Sequence, residues 1–214
     1  MTIATHGAAQ PRVRIKICGV TSALDAQAAV EAGADMIGLN FFPGSKRCVT
    51  LERAREIVAV LPAAVWRVGV FVNAARSEIE RLRDALALDA IQLHGDEQPE
   101  AARGLAPKVI RAVRLRGPDD AARAMEQWHV DYFLCEGDAG SAYGGAGASF
   151  DWSWARAVPP SRLFLAGGLT PDNVADAVRT LRPFAIDVAS GVESAPGRKD
   201  RARMLALVTH AKAA

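Results

Sequence analysis

Short runs of β-branched and large apolar residues alternate along this chain with segments whose apolar positions recur at helical spacing. Runs at 14–18, 36–42, 66–73, 90–94, 108–115, 132–136, 163–166 and 185–189 predict eight strands. Between them Ala54, Ile57, Val58 and Leu61 fall at i, i+3, i+4, i+7, as do Val174, Ala177, Val178 and Leu181. Ile79, Leu82 and Leu86 make a third stripe. Boundary signals agree with this pattern. Ser77 to Glu80 reads as a capping box, Thr170-Pro171 as a cap before a first-turn proline, and Gly33 as the stop of a helix over 23–32. Strands alternating with helices imply parallel pairing, because each helix is the crossover. Eight strand–helix units predict a single-domain (β/α)8 TIM barrel. A doubly wound open sheet would carry G-x-G-x-x-G after the first strand; Cys18-Gly19-Val20-Thr21 stands there instead.

Composition narrows the class. The chain has 214 residues, half of them apolar, and a net charge of +2. That excludes a disordered or collagen-like chain and gives no electrostatic reason to expect nucleic acid or an anionic membrane as partner. Residues 1–12 read as a flexible leader, and 13–214 as the barrel. No run approaches the ~18 apolar residues of a membrane span, and the leader lacks a continuous apolar stretch. Three cysteines without CxxC spacing argue against a disulfide framework or zinc site, so a reducing cytoplasm is expected. The helix exteriors show no decisive apolar patch to fix an oligomeric state, and the expectation is a monomer or weak homodimer. The stretch from Gly191 to Lys199 has the wrong spacing for a nucleotide-binding P-loop.

Barrel chemistry belongs at the C-terminal strand ends. Unusual residues gather there. Glycines at 144, 145 and 147, Gly167-Gly168 and Ser190-Gly191 follow strands six, seven and eight, where barrels commonly bind phosphate through backbone N–H groups. Cys18 ends strand one; it is either a small buried hydrophobe or a base. Glu136 and Asp138 follow strand six, as solvated acids or as the acid partner of the thiol. Lys16 points to the same side as Cys18, but its depth is open, so no activating role is assigned. Cys135 reads as barrel–helix packing and Cys48 as incidental. His94 has no Ser or Asp at triad spacing. With Asp96 and Glu97 it could suggest a metal, but facing ligands are missing, so none is expected. Arg47 follows Phe41-Phe42-Pro43, and a fixed cation beside aromatic surface suits an aryl carboxylate.

These residues resemble the phosphoribosylanthranilate isomerase family of tryptophan biosynthesis. The likeness runs from about residue 14 to 208. It rests on the order and spacing of Lys16-Ile17-Cys18-Gly19-Val20-Thr21, the segment 38–47, Val68 to Asn73, Gln92 to Glu97, Phe150-Asp151-Trp152, Ala166 to Leu169 and Ser190 to Glu193. The resemblance implies a cofactor-free, metal-free Amadori rearrangement of N-(5-phosphoribosyl)anthranilate to the 1-(2-carboxyphenylamino)-1-deoxyribulose 5-phosphate. By motif it makes Cys18 the general base and Arg47 the holder of the anthranilate carboxylate. Gly168, Ser190 and Gly191 would line the phosphate, with Asp187 near the sugar. His94, Gly145, Gly147 and Gly167 join the substrate-binding set.

The family acid is an Asp ending strand six. Here Glu136 occupies that register, with Asp138 as the alternative, and strand position favours Glu136. The glycine loop has lost a hydroxyl at Ala146, and Ala189 replaces a common Ser. Two other readings stand beside the isomerase. A different sugar-phosphate barrel enzyme would use paired Asp residues or a lysine acid. A catalytically dead anion-binding barrel would explain the altered acid.

Overall fold

The computed structural model describes residues 12–105, 107–138 and 150–214. Strand β1 (Arg14–Cys18) shows how the barrel is built. Its odd positions, Ile15 and Ile17, are fully buried among the surrounding helices, while Lys16 and Cys18 turn inward. The same alternation runs through β2 (Met36–Asn40), β3 (Trp66–Phe71), β4 (Ala90–Leu93), β5 (Val109–Leu115), β6 (Tyr132–Gly137), β7 (Leu163–Leu165) and β8 (Ala185–Val188). Every neighbouring pair is parallel, and β8 returns to β1 with Lys16 level with Asp187, so the sheet closes.

The predicted strands are all present, with several ends shortened. The second stops at Asn40 because Phe42 N–H turns back to donate to Asn40 Oδ1. Crossovers are provided by α1 (Ala23–Ala32), α2 (Leu51–Ala59), α3 (Arg76–Leu86), α4 (Asp120–Gln127), α5 (Val174–Leu181) and α6 (Arg201–Lys212). The expectation of eight strand–helix units needs correction here. The connection after β4 holds only a 3-10 turn, Pro99–Ala102. After β6 the described part is 3-10 as well, Trp152–Ala157. Both turns still bury an alanine in the layer around the barrel, Ala102 and Ala155.

Boundary signals fared unevenly. Gly33 ends α1 with φ 98°, where its N–H satisfies Ala29 and Val30 carbonyls. The capping box at Ser77 fails: α3 starts at Arg76, so Ser77 lies inside the first turn and Ala75 precedes it. Thr170 organises a turn before α5 rather than capping it directly. Its hydroxyl accepts from Asp172 N–H, and its own N–H donates to Asn173. All four stripe residues of α5 are buried, at roughly 1.5–3 kcal/mol for each large one.

A repeated device closes the N-terminal end. Asp35, Asp89 and Asp131 each stand just before an even strand and accept a backbone N–H from the first or second residue of the strand before it, from Ile15, Arg67 and Val109. Inside that end Trp66, Tyr132, Phe164 and Phe184 pack ring against ring, with centroids 4.7–6.3 Å apart. Arg14 and Lys108 lie over Trp66. Above them Met36, Val68, Ala90, Ile110, Ala112 and Leu134 fill the cylinder. No helix among the described residues is long and apolar enough to cross a membrane.

Candidate active site

Polar side chains take over the interior at the C-terminal end. Lys16, Gln92, His94, Glu136 and Asp187 are all buried there, four from strands and His94 from the position just after β4. Burying such groups is costly unless they pair. They pair in two clusters.

The first cluster surrounds Cys18. Lys16 is fully buried and its ammonium donates to Asp187 Oδ1 at 2.8 Å. Burial opposes its charge, but Asp187 and the neighbouring sulfur outweigh that and raise its pKa. The Cys18 thiol is pushed above its ordinary value by burial first and by the Asp187 carboxylate second; Lys16 and Lys199 pull the other way. Gly38, paired with Cys18 across β1 and β2, is necessary: a Cβ there would sit 2.8 Å from Cys18 Sγ and 3.2 Å from Lys16 Nζ.

Arg47 stands beside this cluster and is held by a residue that only its motif flagged. Its Nε and Nη2 donate to the two oxygens of Glu193 at 2.8 and 2.7 Å. Lys199 Nζ donates to the same carboxylate at 2.9 Å and to the Ala189 carbonyl at 3.1 Å. Burial works against the Glu193 charge, yet Arg47 and Lys199 hold its carboxyl below the ordinary range. Glu193 and Lys199 belong to a hairpin, β9 (Glu193–Ala195) and β10 (Arg198–Lys199), which is the stretch whose spacing ruled out a P-loop. Gly19, at φ 67°, leaves room for the Arg47 stem, which a Cβ would strike. Phe41, expected at the mouth with Arg47, is half-buried beside the C-terminal end of β3. Its ring stacks on Phe71 at 5.3 Å, in the layer between barrel and helices.

The second cluster is a chain of three. Gln92 Nε2 lies 2.7 Å from His94 Nδ1, and His94 Nε2 lies 2.7 Å from Glu136 Oε1. With the amide donating, the imidazole carries its proton on Nε2, facing the carboxylate. Gln92 Oε1 is buried without a partner among the described residues. Arg114 of β5 is level with Glu136. Asp138, two residues on, is instead turned to Arg116, which donates to it at 2.8 Å near the surface. Glu97 is already engaged, accepting from Gly95 N–H in its own loop, Asn73 N–H after β3 and Arg111 of β5. Among the described residues no three His, Cys, Asp or Glu side chains are grouped to hold a metal.

Loops seven and eight meet on the same rim. Gly167 and Gly168 have φ 82° and 64°. Gly191 has no space for a side chain, since a Cβ would collide with the Leu169 carbonyl. Ser190 opens the short turn Ser190–Val192 beside them. Gly145 and Gly147 lie outside the described residues. Cys135 is buried between barrel and helices, its thiol pushed up to about 12 by burial, and Cys48 is exposed.

The arrangement offers a sulfur, a buried carboxyl on an imidazole, a clamped guanidinium and a glycine-lined rim, all at one end of one barrel. Comparison with known proteins points the same way. Residues 15–210 match the family model described as N-(5'-phosphoribosyl)anthranilate isomerase. The enzyme of that name from Pseudomonas aeruginosa (strain UCBPP-PA14) is 48% identical over 199 residues, covering 92% of this chain and 94% of the relative. The crystal structure of phosphoribosyl anthranilate isomerase from Thermotoga maritima superposes with a TM-score of 0.84 at 40% identity, covering 94% of this chain and all of that one. A structure of such an isomerase in complex with reduced 1-(o-carboxyphenylamino)-1-deoxyribulose 5-phosphate matches with a TM-score of 0.82 at 39% identity, again over 94% and 100%.

Proposed function

The chain belongs to the N-(5'-phosphoribosyl)anthranilate isomerase family, an isomerase of tryptophan biosynthesis, and on that premise we propose how its own residues divide the rearrangement. Protonated Glu136 gives its proton to the ribose ring oxygen. The C1–O bond breaks, and the anilino nitrogen's lone pair forms a protonated imine at C1. Cys18 thiolate takes the proton from C2, and that C–H electron pair becomes the C1=C2 bond, neutralising the nitrogen. The enolamine hydroxyl proton then moves to C1 to give the ketone. The sulfur's proton returns to Glu136 by way of solvent, so both groups are reset.

The observation that carries this assignment is the burial of Glu136 against His94, 2.7 Å away, while Asp138 is occupied by Arg116 outside. Glutamate reaches one methylene further than aspartate, and the His94 contact fixes where that extra length goes. Arg47 presents its remaining guanidinium edge to the anthranilate carboxylate, since Glu193 uses only one edge. Gly167, Gly168, Ser190 and Gly191 receive the phosphate, and Asp187 lies near the sugar. No cofactor or metal is needed for these steps. The enzyme works in the cytoplasm, where a reducing medium keeps Cys18 free, as a monomer or weak homodimer.

The test is loss of the anthranilate conjugate's fluorescence on adding protein. Cys18→Ala is expected to lose ~10²-fold or more in kcat, the scale of a missing general base. Glu136→Gln is expected to lose as much, and Asp138→Asn little. Near-normal rates in Cys18→Ala, or an Asp138→Asn loss exceeding that of Glu136→Gln, would overturn the assignment.

A further inference from the structure

A half-buried sulfur that must ionise needs a counter-charge, and the motif residue Lys16 has so far only a partner in Asp187. Its Nζ and the Cys18 Sγ both lie within 3.2 Å of the point where a side chain at Gly38 would begin. The gap at Gly38 therefore leaves ammonium and sulfur no more than about 6 Å apart, on either side of the space a side chain there would fill. We propose that the Lys16 ammonium, braced on Asp187, is the counter-ion that admits a thiolate at Cys18, a positioning residue for the base rather than a structural plug. This rests on the reading of Cys18 as the base.

The surrounding charges fit that role. Those facing the sulfur are Lys16 from β1, Asp187 from β8, Arg47 from the loop after β2 and Lys199 from β10. Strand β2 contributes uncharged Gly38 and Asn40. Glu193 pairs with both Arg47 and Lys199. Three cations against two carboxylates leave one positive charge over, which a thiolate neutralises. Without Lys16 the same set would be neutral before the sulfur ionises, and a thiolate would leave a net negative charge in a partly buried place. Asp187 has two effects of opposite sense: it braces the lysine and it repels the thiolate. Pairing the two tunes the sulfur rather than simply acidifying it.

The experiment measures iodoacetamide alkylation of Cys18 against pH in the full-length protein, read on the Cys18 peptide by mass spectrometry. Circular dichroism reports folding of each variant. Lys16→Met should raise the midpoint by ~1–2 pH units, so that ~10-fold or more of the thiolate is lost at any pH below it. Asp187→Asn should move the midpoint the other way. The double variant, which strands no buried charge, should fall between the two and keeps the test valid if Lys16→Met folds poorly. A merely structural lysine would not give shifts of opposite sign. An unchanged midpoint in Lys16→Met, or in the double variant relative to Asp187→Asn, overturns the proposal. That outcome with Cys18→Ala inactive defeats only the role of Lys16; an active Cys18→Ala defeats the base itself.

Discussion

At the N-terminal end the barrel closes on Trp66, Tyr132, Phe164 and Phe184; a few residues further along its axis it closes on Lys16, Gln92, His94, Glu136 and Asp187. One end gains stability from rings and from three aspartates that satisfy backbone N–H groups. The other end buries charge, which stabilises little and is tolerated only because each group has a partner. The lesson is a division of labour along the strand: side chains two positions apart, sharing one inward face, serve stability below and chemistry above.

The comparison can be broken most forcefully from below. Phe164→Ala removes a fully buried ring from the aromatic end and should cost ~3–5 kcal/mol, read as a fall in Tm, while the folded fraction keeps its kcat. Cys18→Ala should do the reverse, leaving Tm within a few degrees. If Phe164→Ala loses turnover per folded molecule, or Cys18→Ala unfolds the chain, the two ends are not separable.

A smaller effect tests the clamp on Arg47. Glu193→Gln keeps the shape but removes the charge. It should raise KM ~10-fold, the scale of one charge-assisted hydrogen bond, with kcat little changed. The acid response gives a second readout. The Glu193 carboxyl is held below the ordinary range in the fold, so its contribution to stability is present above that range. It is lost as pH falls through the folded value. Acidification should therefore narrow the Tm gap between wild type and Glu193→Gln. A gap independent of pH would show that the ion pair contributes nothing.

The upper end was legible where a single residue type carries the message. Cys18 before a Gly turn, Gly168, Gly191 and the carboxyl ending β6 could each be read from position on a strand, because a barrel aligns strand ends by construction. What escaped is pairing across the chain. Lys16 meets Asp187 across 171 residues and Arg47 meets Glu193 across 146. Neither meeting has a local signature. The depth of Lys16 depended on Gly38 being empty, which no reading of β1 alone reveals. Gln92 was visible only as an inward position on β4, and its hold on His94 is a matter of rotamer. Lys199 had no signal, since a hairpin two residues wide leaves no periodicity. Below, the aromatic plug was equally hidden: Trp66, Tyr132, Phe164 and Phe184 stand at four strand starts and become a cluster only on closure. The Asp before three even strands was in plain view but carried no message until the partner N–H groups were placed.

The central claim is that sulfur and carboxyl act on one sugar from facing walls of the same mouth. A crystal structure of this chain with a reduced product analogue tests it directly. The account predicts Cys18 Sγ against C2 and a Glu136 oxygen within hydrogen-bond reach of the hydroxyl at C4, with Asp138 still on Arg116. An analogue whose C4 hydroxyl is met by Asp138, or whose C2 lies away from Cys18, would contradict it.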